Sequence, residues 1–309
     1  MSKSVPELSL RDFTHGDQAS RARFSDALFG GLQDYGFFTL TDHNVDARLL
    51  DRAYGLAAEV FALPDEVKRA HAGGLRGYTP FGTEHARDHA QPDLKEFWQI
   101  GRDAPAGHEN DPDFPPNVWP DSLPAFREVF SALFDSLDQT GRIILRALAP
   151  KLDLDEDWFE PRVKNGVSIL RVLHYPPLSP DVPEGAVRAA AHEDINFITI
   201  LVAAKGAGLE LLDRDGSWLP VETEPRNLIV DSGDMLARLT NGVIPATTHR
   251  VVNPSGPNLS RYSMPFFMHP SNDVSLECLP SCVGEGAKHP PITAGAFLHQ
   301  RLREIGLIK

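Results

Sequence analysis

The stretch Ala191-His192-Glu193-Asp194-Ile195-Asn196-Phe197-Ile198-Thr199-Ile200-Leu201 joins two chelating side chains to a β-prone run. His192 and Asp194 are two positions apart, so they would share one face if both lie on a strand. An imidazole and a carboxylate that converge on one side can bind a metal ion. Alone, the pattern is a weak indication, because His15-Gly16-Asp17 repeats it beside a predicted helix start.

Two later motifs supply the groups that this pair lacks. Thr248-His249-Arg250-Val251-Val252 places a second histidine before a β-branched run. Arg261-Tyr262-Ser263 follows, and strand alternation would put Arg261 and Ser263 on one face. A planar guanidinium beside a hydroxyl suits a carboxylate, because the guanidinium can bind both carboxylate oxygens.

The combination of these residues is more informative than any one of them. Two histidines and one carboxylate from separate strands form the facial triad typical of non-haem Fe(II) oxygenases. Zinc is the main alternative metal, since it takes the same ligands. Zinc does not account for the Arg-x-Ser pair. Taken singly, each residue is better explained as a surface polar group or an ordinary ion pair.

The second half of the chain has the sequence pattern of a β protein. After Pro161, short β-prone runs alternate with turn residues, a pattern that indicates an antiparallel sandwich or barrel. The strands predicted there are 167–173, 197–203, 209–212, 228–230, 251–252 and 263–268.

The first half of the chain is predicted to consist mainly of helices, with few strands. Apolar spacing predicts helices over 17–35, 46–61 and 123–148, and another from residue 64. Residues 37–40 are β-prone, and 73–121 read as long loops with an ordered piece near 93–100. A final helix is predicted over 294–307. Without a clean linker, we expect one domain, 1–309: an N-terminal helical and loop region, 1–165, a core, 166–270, and a C-terminal segment, 271–309.

Composition narrows the possible partners. The 309 residues carry 30 basic and 43 acidic side chains, a net charge of −13, which argues against nucleic-acid or anionic-membrane binding. The longest nearly apolar run, 197–204, is far below the roughly 18 residues that span a bilayer. With only Cys278 and Cys282, a disulfide scaffold is not expected, and the two are interpreted as reduced thiols. We expect a cytoplasmic location, and the sequence does not indicate the oligomeric state.

Several segments together resemble the isopenicillin N synthase-like branch of the Fe(II)/2-oxoglutarate-dependent oxygenases. The resemblance covers nearly the whole chain. Beyond the His-x-Asp, His249-Arg250-Val251 and Arg-x-Ser motifs, it rests on four segments: Tyr35-Gly36-Phe37-Phe38-Thr39-Leu40-Thr41-Asp42-His43, Asp93-Leu94-Lys95-Glu96-Phe97-Trp98, Gly208-Leu209-Glu210 with Trp218-Leu219-Pro220-Val221, and 227–242, which contains Gly233-Asp234 and Thr240-Asn241-Gly242.

This resemblance implies a mainly β fold, a double-stranded β-helix (jelly roll) wrapped by N-terminal and C-terminal helices. It implies Fe(II) held by His192, Asp194 and His249, with 2-oxoglutarate and O2 as cosubstrates. Arg261 and Ser263 would bind the distal carboxylate of 2-oxoglutarate. The implied reaction couples oxidative decarboxylation of 2-oxoglutarate to C–H oxidation of a small organic substrate, as hydroxylation, desaturation or ring closure.

The chain departs from the family pattern at one cosubstrate contact. Related plant enzymes carry Asn-Tyr-Tyr-Pro, whereas this chain has Leu173-His174-Tyr175-Pro176-Pro177. Tyr175 matches the final tyrosine, but Leu173 replaces the asparagine. Two alternatives stay open: an isopenicillin N synthase-like oxidase that uses O2 without 2-oxoglutarate, because its Arg-x-Ser holds a substrate carboxylate, and a catalytically silent jelly-roll binding protein.

Two other groups of residues have ordinary interpretations. His85 and His89 most simply belong to a solvated surface, with a mobile lid over the site as the alternative. Phe266, Phe267 and Met268 either line the pocket or pack in the core.

Overall fold

A computed structural model describes residues 4–84, 91–108, 111–202 and 208–304. Eight α-helices lie in these ranges: α1 (Leu10–Thr14), α2 (Gln18–Tyr35), α3 (Ala47–Phe61), α4 (Asp65–Arg69), α5 (Pro124–Leu148), α6 (Glu160–Val163), α7 (Asp234–Leu239) and α8 (Ala294–Glu304). Two short 3-10 helices occupy Ala149–Leu152 and Pro280–Cys282.

The strands form two sheets. They are β1 (Glu7–Ser9), β2 (Phe37–Thr41), β3 (Gly77–Thr79), β4 (Glu96–Gly101), β5 (Ile169–Tyr175), β6 (Ala189–His192), β7 (Ile198–Val202), β8 (Leu209–Leu212), β9 (Trp218–Pro220), β10 (Leu228–Ser232), β11 (His249–Val251) and β12 (Arg261–Met268). The eight-stranded sheet has the order β1-β2-β10-β7-β12-β5-β4-β3, and the four-stranded sheet has the order β6-β11-β8-β9. All pairings are antiparallel except that of β1 with β2.

The large sheet buries both of its faces. Alternate residues of β7, such as Ile198 and Ile200, pack in one apolar cluster with α3 and α5. Leu201, which points to the opposite, inner face of the same strand, packs with Leu211 and Val251 of the small sheet. This alternation divides the strands into an outer, helix-facing side and an inner side between the sheets.

The longest helices supply most of the outer layer. Helix α5 buries Phe126, Phe130 and Leu137 at helical spacing, and each fully buried side chain of this size contributes roughly 2–3 kcal/mol. Helix α3 is capped by Asp46, whose carboxylate accepts hydrogen bonds from the amides of Arg48 and Leu49. Both helices therefore hold the large sheet from the side away from the small sheet.

A glycine makes the sharp change from α2 to β2. Gly36 has φ of 68°, a left-handed conformation that favours glycine. A side chain there would also collide with Thr247, since an ideal Cβ would lie 2.0 Å from Thr247 Oγ1. This turn places Phe37 on the inner side of the sheet, against His249.

The structure confirms the mainly β fold with flanking helices, and the predicted long helices are present. It corrects the description of the N-terminal region, because β1 to β4 join the large sheet and 1–165 is more than a wrapping layer. The sequence did not predict strands β1, β3 and β6 or helices α1, α6 and α7, whose three to six residues are too short to show periodicity. The end of the predicted 197–203 strand and of the 294–307 helix lie outside the described residues.

Candidate metal centre and carboxylate site

Three side chains from different parts of the small sheet and its connections converge. His192 ends β6, His249 begins β11, and these two residues are directly paired across the strands. Asp194 lies in the connection between β6 and β7. One ligand atom of each of His192, Asp194 and His249 lies within 4.8 Å of the others, a spacing that one metal ion can bridge.

Both imidazoles are oriented to leave the same nitrogen free. Nδ1 of His192 is 2.7 Å from the Ala190 carbonyl oxygen, and Nδ1 of His249 is 3.1 Å from that of Thr247. A carbonyl can only accept, so each Nδ1 carries the proton and each Nε2 keeps its lone pair. The Nε2 atoms lie 3.8 and 4.0 Å from Oδ1 of Asp194.

Electrostatics keeps His192 in its neutral, metal-binding form. Burial, and then the neighbouring His249, lower the pKa of His192 to about 4. The pKa of Asp194 is lowered because the two histidines and a hydrogen bond from Thr199 outweigh its burial. The neutral form of His192 and the ionised form of Asp194 are the protonation states that metal ligands require.

The basis on which His192 and Asp194 were predicted to converge was wrong, although the convergence itself is found. Asp194 is not on the strand with His192, so alternation does not align them. Asp194 is held instead by Thr199, whose hydroxyl donates to Oδ2, and the buried carboxyl of Asp231 lies close to it. Burial and the Asp194 carboxylate raise the pKa of Asp231 well above its usual value.

Gly233 allows a close backbone approach behind Asp194. An ideal Cβ on Gly233 would lie 2.4 Å from the Asn196 carbonyl oxygen and 2.8 Å from that of Asp194. The next residue, Asp234, donates its amide to the Asp194 carbonyl at 2.7 Å. The Gly-Asp pair at the start of α7 therefore shapes the loop that carries the carboxylate ligand.

The Arg-x-Ser motif lies on the inner face of the large sheet, as its spacing predicted. Arg261 is opposite Tyr175, and Ser263 is opposite Leu173, in the pairing of β12 with β5. Arg261 is 2% exposed, its guanidinium carbon lies 5.1 Å from the centroid of the Tyr175 ring, and among the described residues Nε and Nη1 have no partner. A buried guanidinium with free donors is suited to bind an anion.

The Leu173 position is apolar in space as well as in sequence. Leu173 is buried with Tyr175 in the inner cluster, so no side-chain polar group stands where the plant enzymes carry asparagine. Phe266 and Met268 pack in the outer core, whereas Phe267, on the opposite face, contacts the Arg171 guanidinium at 5.5 Å from its ring centroid. Core packing therefore accounts for two of these three residues.

The Asp93-Leu94-Lys95-Glu96 segment joins the site to the rest of the sheet. Asp93 accepts a hydrogen bond from the Ala190 amide on β6 and pairs with Lys95 at 2.8 Å. Glu96 faces the other side and is contacted by Lys68, Tyr78 and His174. Sequence reasoning noted the segment but missed both networks, because their partners are far along the chain.

The remaining expectations are resolved in part. Cys278 and Cys282 are free thiols. His85 and His89 lie outside the described residues. No helix in the described part of the chain is long and apolar enough to cross a membrane.

Comparison with known proteins places this geometry in a family. The family model of the 2OG-Fe(II) oxygenase superfamily matches residues 166–270, and that of the non-haem dioxygenase N-terminal region (in morphine synthesis) matches residues 5–122. A 2-oxoglutarate-Fe(II) type oxidoreductase, hxnY, from Emericella nidulans is 34% identical over 303 residues, covering 93% of this chain and 86% of that protein.

Solved structures agree. A 2OG-Fe(II) oxygenase family protein from Caulobacter crescentus is 44% identical, with a TM-score of 0.89, over 98% of this chain and 100% of that one. A full-length Neurospora crassa protein in complex with alpha-KG is 30% identical, with a TM-score of 0.87, over 97% and 96% of the two chains. With its His-Asp-His cluster on a jelly-roll core, this chain belongs to the 2OG-Fe(II) oxygenase superfamily and is an iron- and 2-oxoglutarate-dependent oxidoreductase.

Proposed function

We propose that His192, Asp194 and His249 bind the Fe(II) ion. The observation that carries this assignment is the shared orientation of the histidines, whose Nδ1 atoms are hydrogen-bonded to carbonyls while both Nε2 atoms lie near Asp194. Backbone partners of this kind fix the tautomer and ring direction of metal-binding histidines. The donor set of two imidazoles and one carboxylate fits Fe(II).

We propose that Arg261, Ser263 and Tyr175 bind the distal carboxylate of 2-oxoglutarate. Support comes from the two free donor nitrogens of Arg261 in an almost fully buried position. Tyr175 lies against the guanidinium, with its ring centroid 5.1 Å from the guanidinium carbon, and Ser263 lies two residues further along the same strand face. An anionic ligand there would supply the acceptors that the described residues lack.

When both are bound, Fe(II) and 2-oxoglutarate would provide the oxidising chemistry: oxidation of a substrate C–H bond is coupled to decarboxylation of the keto acid. The chain orients the three ligands, anchors the keto acid at one end, and closes the inner space with apolar side chains. Phe37 packs edge-on against His249, and Leu201, Leu211 and Val251 surround the inner face. These side chains give the space between the sheets an apolar lining beside the metal ligands.

We propose that the primary substrate is a small organic molecule bound near Arg171 and Phe267. Strand β5 presents Tyr175 at one end of its inner face and Arg171 about 13 Å along the strand. The charge of Arg171 also helps to lower the pKa of Asp194, which supports a substrate position on the side of the metal ligands. A related Neurospora crassa protein, 29% identical, has been crystallised with alpha-KG and thymine, which supports a small-molecule substrate.

The organisation of the chain is proposed as one domain, 1–309. The large sheet interleaves β2 from the N-terminal region with β10 from the core, and β4 with β5. Strands shared in this way would leave exposed edges if the regions separated.

An anaerobic titration tests the assignment. Adding Fe(II) and 2-oxoglutarate to the protein should produce a visible metal-to-ligand charge-transfer band, and admission of O2 should then yield succinate. A wild-type protein that binds Fe(II) but develops no band would contradict the keto-acid site.

A further inference from the structure

Two buried arginines meet at the ring of Tyr175. The guanidinium carbon of Arg261 is 5.1 Å from the ring centroid, and that of Arg188 is 6.0 Å away. Arg188 immediately precedes β6, and it is 3% exposed. No motif in the sequence drew attention to Arg188, because its partners lie on β5 and before β12.

Among the residues that the structure describes, no carboxylate pairs with either guanidinium. Burial lowers the pKa of Arg188, and the positive charge of Arg261 lowers it further. The groups that raise the two arginine pKa values are the hydroxyls of Tyr175 and Tyr54, with no Asp or Glu among them. Within the described ranges, Nε of Arg188 also has no hydrogen-bond partner. Two neighbouring, unpaired buried cations destabilise the protein unless an anion joins them.

A purely structural role does not explain the charge of Arg188. Its Nη2 donates to the Leu259 carbonyl at 2.7 Å, which ties β6 to the start of β12. A neutral donor would make that bond without the cost of burying a charge. Arg76 offers a contrast, since it is similarly buried and donates to the Leu75 carbonyl, but its pKa is influenced by the carboxylate of Asp103.

We propose that Arg188 is a second cationic residue of the pocket that binds the distal carboxylate of the 2-oxo acid. The pocket then selects dicarboxylic 2-oxo acids over monocarboxylic ones. This inference rests on the proposed function, because it concerns the same cosubstrate site. Arg188 would also provide a polar side chain in a pocket where Leu173 provides none.

The selectivity follows from pairing. A distal carboxylate would neutralise one of the two charges and supply acceptors to the free nitrogens of Arg261 and Arg188. A 2-oxo acid that ends in a methyl group would leave both guanidiniums buried and unpaired. Sites with buried polar groups reject ligands that leave those groups unpaired far more strongly than apolar pockets reject a missing methylene.

The test compares two ligands across three variants. The dissociation constants of 2-oxoglutarate and of 2-oxopentanoate are measured anaerobically on the Fe(II) protein by the charge-transfer band and by calorimetry. In Arg188→Gln, which keeps a donor for the Leu259 carbonyl, 2-oxoglutarate should bind about tenfold more weakly. Affinity for 2-oxopentanoate should hardly change. Arg188→Lys, which keeps the charge, should retain most of the preference.

Arg76→Gln is the matched control, and its ratio of the two constants should equal that of the wild type. Succinate, which keeps the distal carboxylate without the keto group, should stabilise the wild type against heat more than Arg188→Gln. If the Gln variant does not fold, Arg188→Met serves as the neutral variant.

A fall of both affinities by the same factor, or no change in either, would overturn the inference and leave Arg188 a structural tie. Absence of any 2-oxoglutarate band in the wild type would instead contradict the proposed function. The two failures are therefore distinguishable.

Discussion

Thr199 donates its hydroxyl to Oδ2 of Asp194, five residues earlier in the chain. Thr199 is on β7, and its Oγ1 accepts a hydrogen bond from the side-chain Nδ2 of Asn196 at 2.9 Å. The strand therefore holds a carboxylate that lies outside any strand. Side chains that orient metal ligands in this manner affect metal affinity nearly as much as some ligands do.

Replacing Thr199 by valine should weaken Fe(II) binding by about 10- to 100-fold, because the carboxylate loses the donor that fixes its direction. Thr199→Ser keeps the hydroxyl and should remain near the wild type. Iron affinity is measured by anaerobic titration, with unfolding followed in parallel. Thr39→Val, at another buried threonine on the inner side of the sheet, is the control, and an equal loss in that variant would contradict the role of Thr199.

Alanine at His192, Asp194 or His249 should abolish stoichiometric Fe(II) binding, since two remaining ligands hold the ion poorly. The iron content of protein reconstituted without oxygen and then desalted provides the measurement. His15→Ala removes the histidine of the other His-x-Asp sequence and should leave the iron content unchanged. Full iron content in His249→Ala would exclude that residue as a ligand.

Substitution of Arg261 by methionine should weaken 2-oxoglutarate binding on the order of 30-fold or more, because charge-assisted hydrogen bonds to the carboxylate are lost. Tyr175→Phe should have a smaller effect, since it removes a group that positions the guanidinium. The charge-transfer titration at saturating Fe(II) reports both. An unchanged titration in Arg261→Met would assign the distal carboxylate to other residues.

Gly233→Ala should lower iron affinity and destabilise the fold by about 1–3 kcal/mol. The added methyl group would collide with the backbone of the loop that carries Asp194. Gly55→Ala is the matched control, because nothing lies within 4 Å of the corresponding Cβ in α3, and removing a helical glycine stabilises proteins by up to about 1 kcal/mol. Urea unfolding measures the loss of stability in both variants, and iron titration measures the loss of metal affinity.

Stability should fall in acid through Glu96. Burial alone would raise the pKa of Glu96, but hydrogen bonds from His174, Lys68 and Tyr78 lower it below the ordinary 4.5. A carboxyl with a depressed pKa contributes its full stability above the unfolded value and loses it as the pH falls through the folded value. The loss is therefore expected below about pH 4.5.

Glu96→Gln should remove this part of the acid sensitivity. At neutral pH it should cost about 3 kcal/mol, because Lys68 is left with a weaker, surface partner in Asp65. Unfolding free energies at several pH values test this, and a variant with the same acid sensitivity as the wild type would contradict it.

Features that depend on residues close together in the chain could be predicted from the sequence, whereas those that depend on distant residues could not. Helices α3 and α5 were predictable because their apolar residues recur every three or four positions over many turns. Strands β3 and β6 were not, since three or four residues carry no measurable period. The histidines and the Arg-x-Ser pair were recognised from residue type and order, which are local properties.

Residue type and order were enough to identify the chemical groups of the site: two imidazoles, a carboxylate and a guanidinium beside a hydroxyl. How these groups are held depends on contacts between segments that are far apart in the chain. Asp194 is placed by Thr199 and not by strand alternation, and Arg188 is brought to Tyr175 from a distant segment. The reason is physical, because hydrogen bonds and unpaired charges depend on distances in space that residue order does not specify.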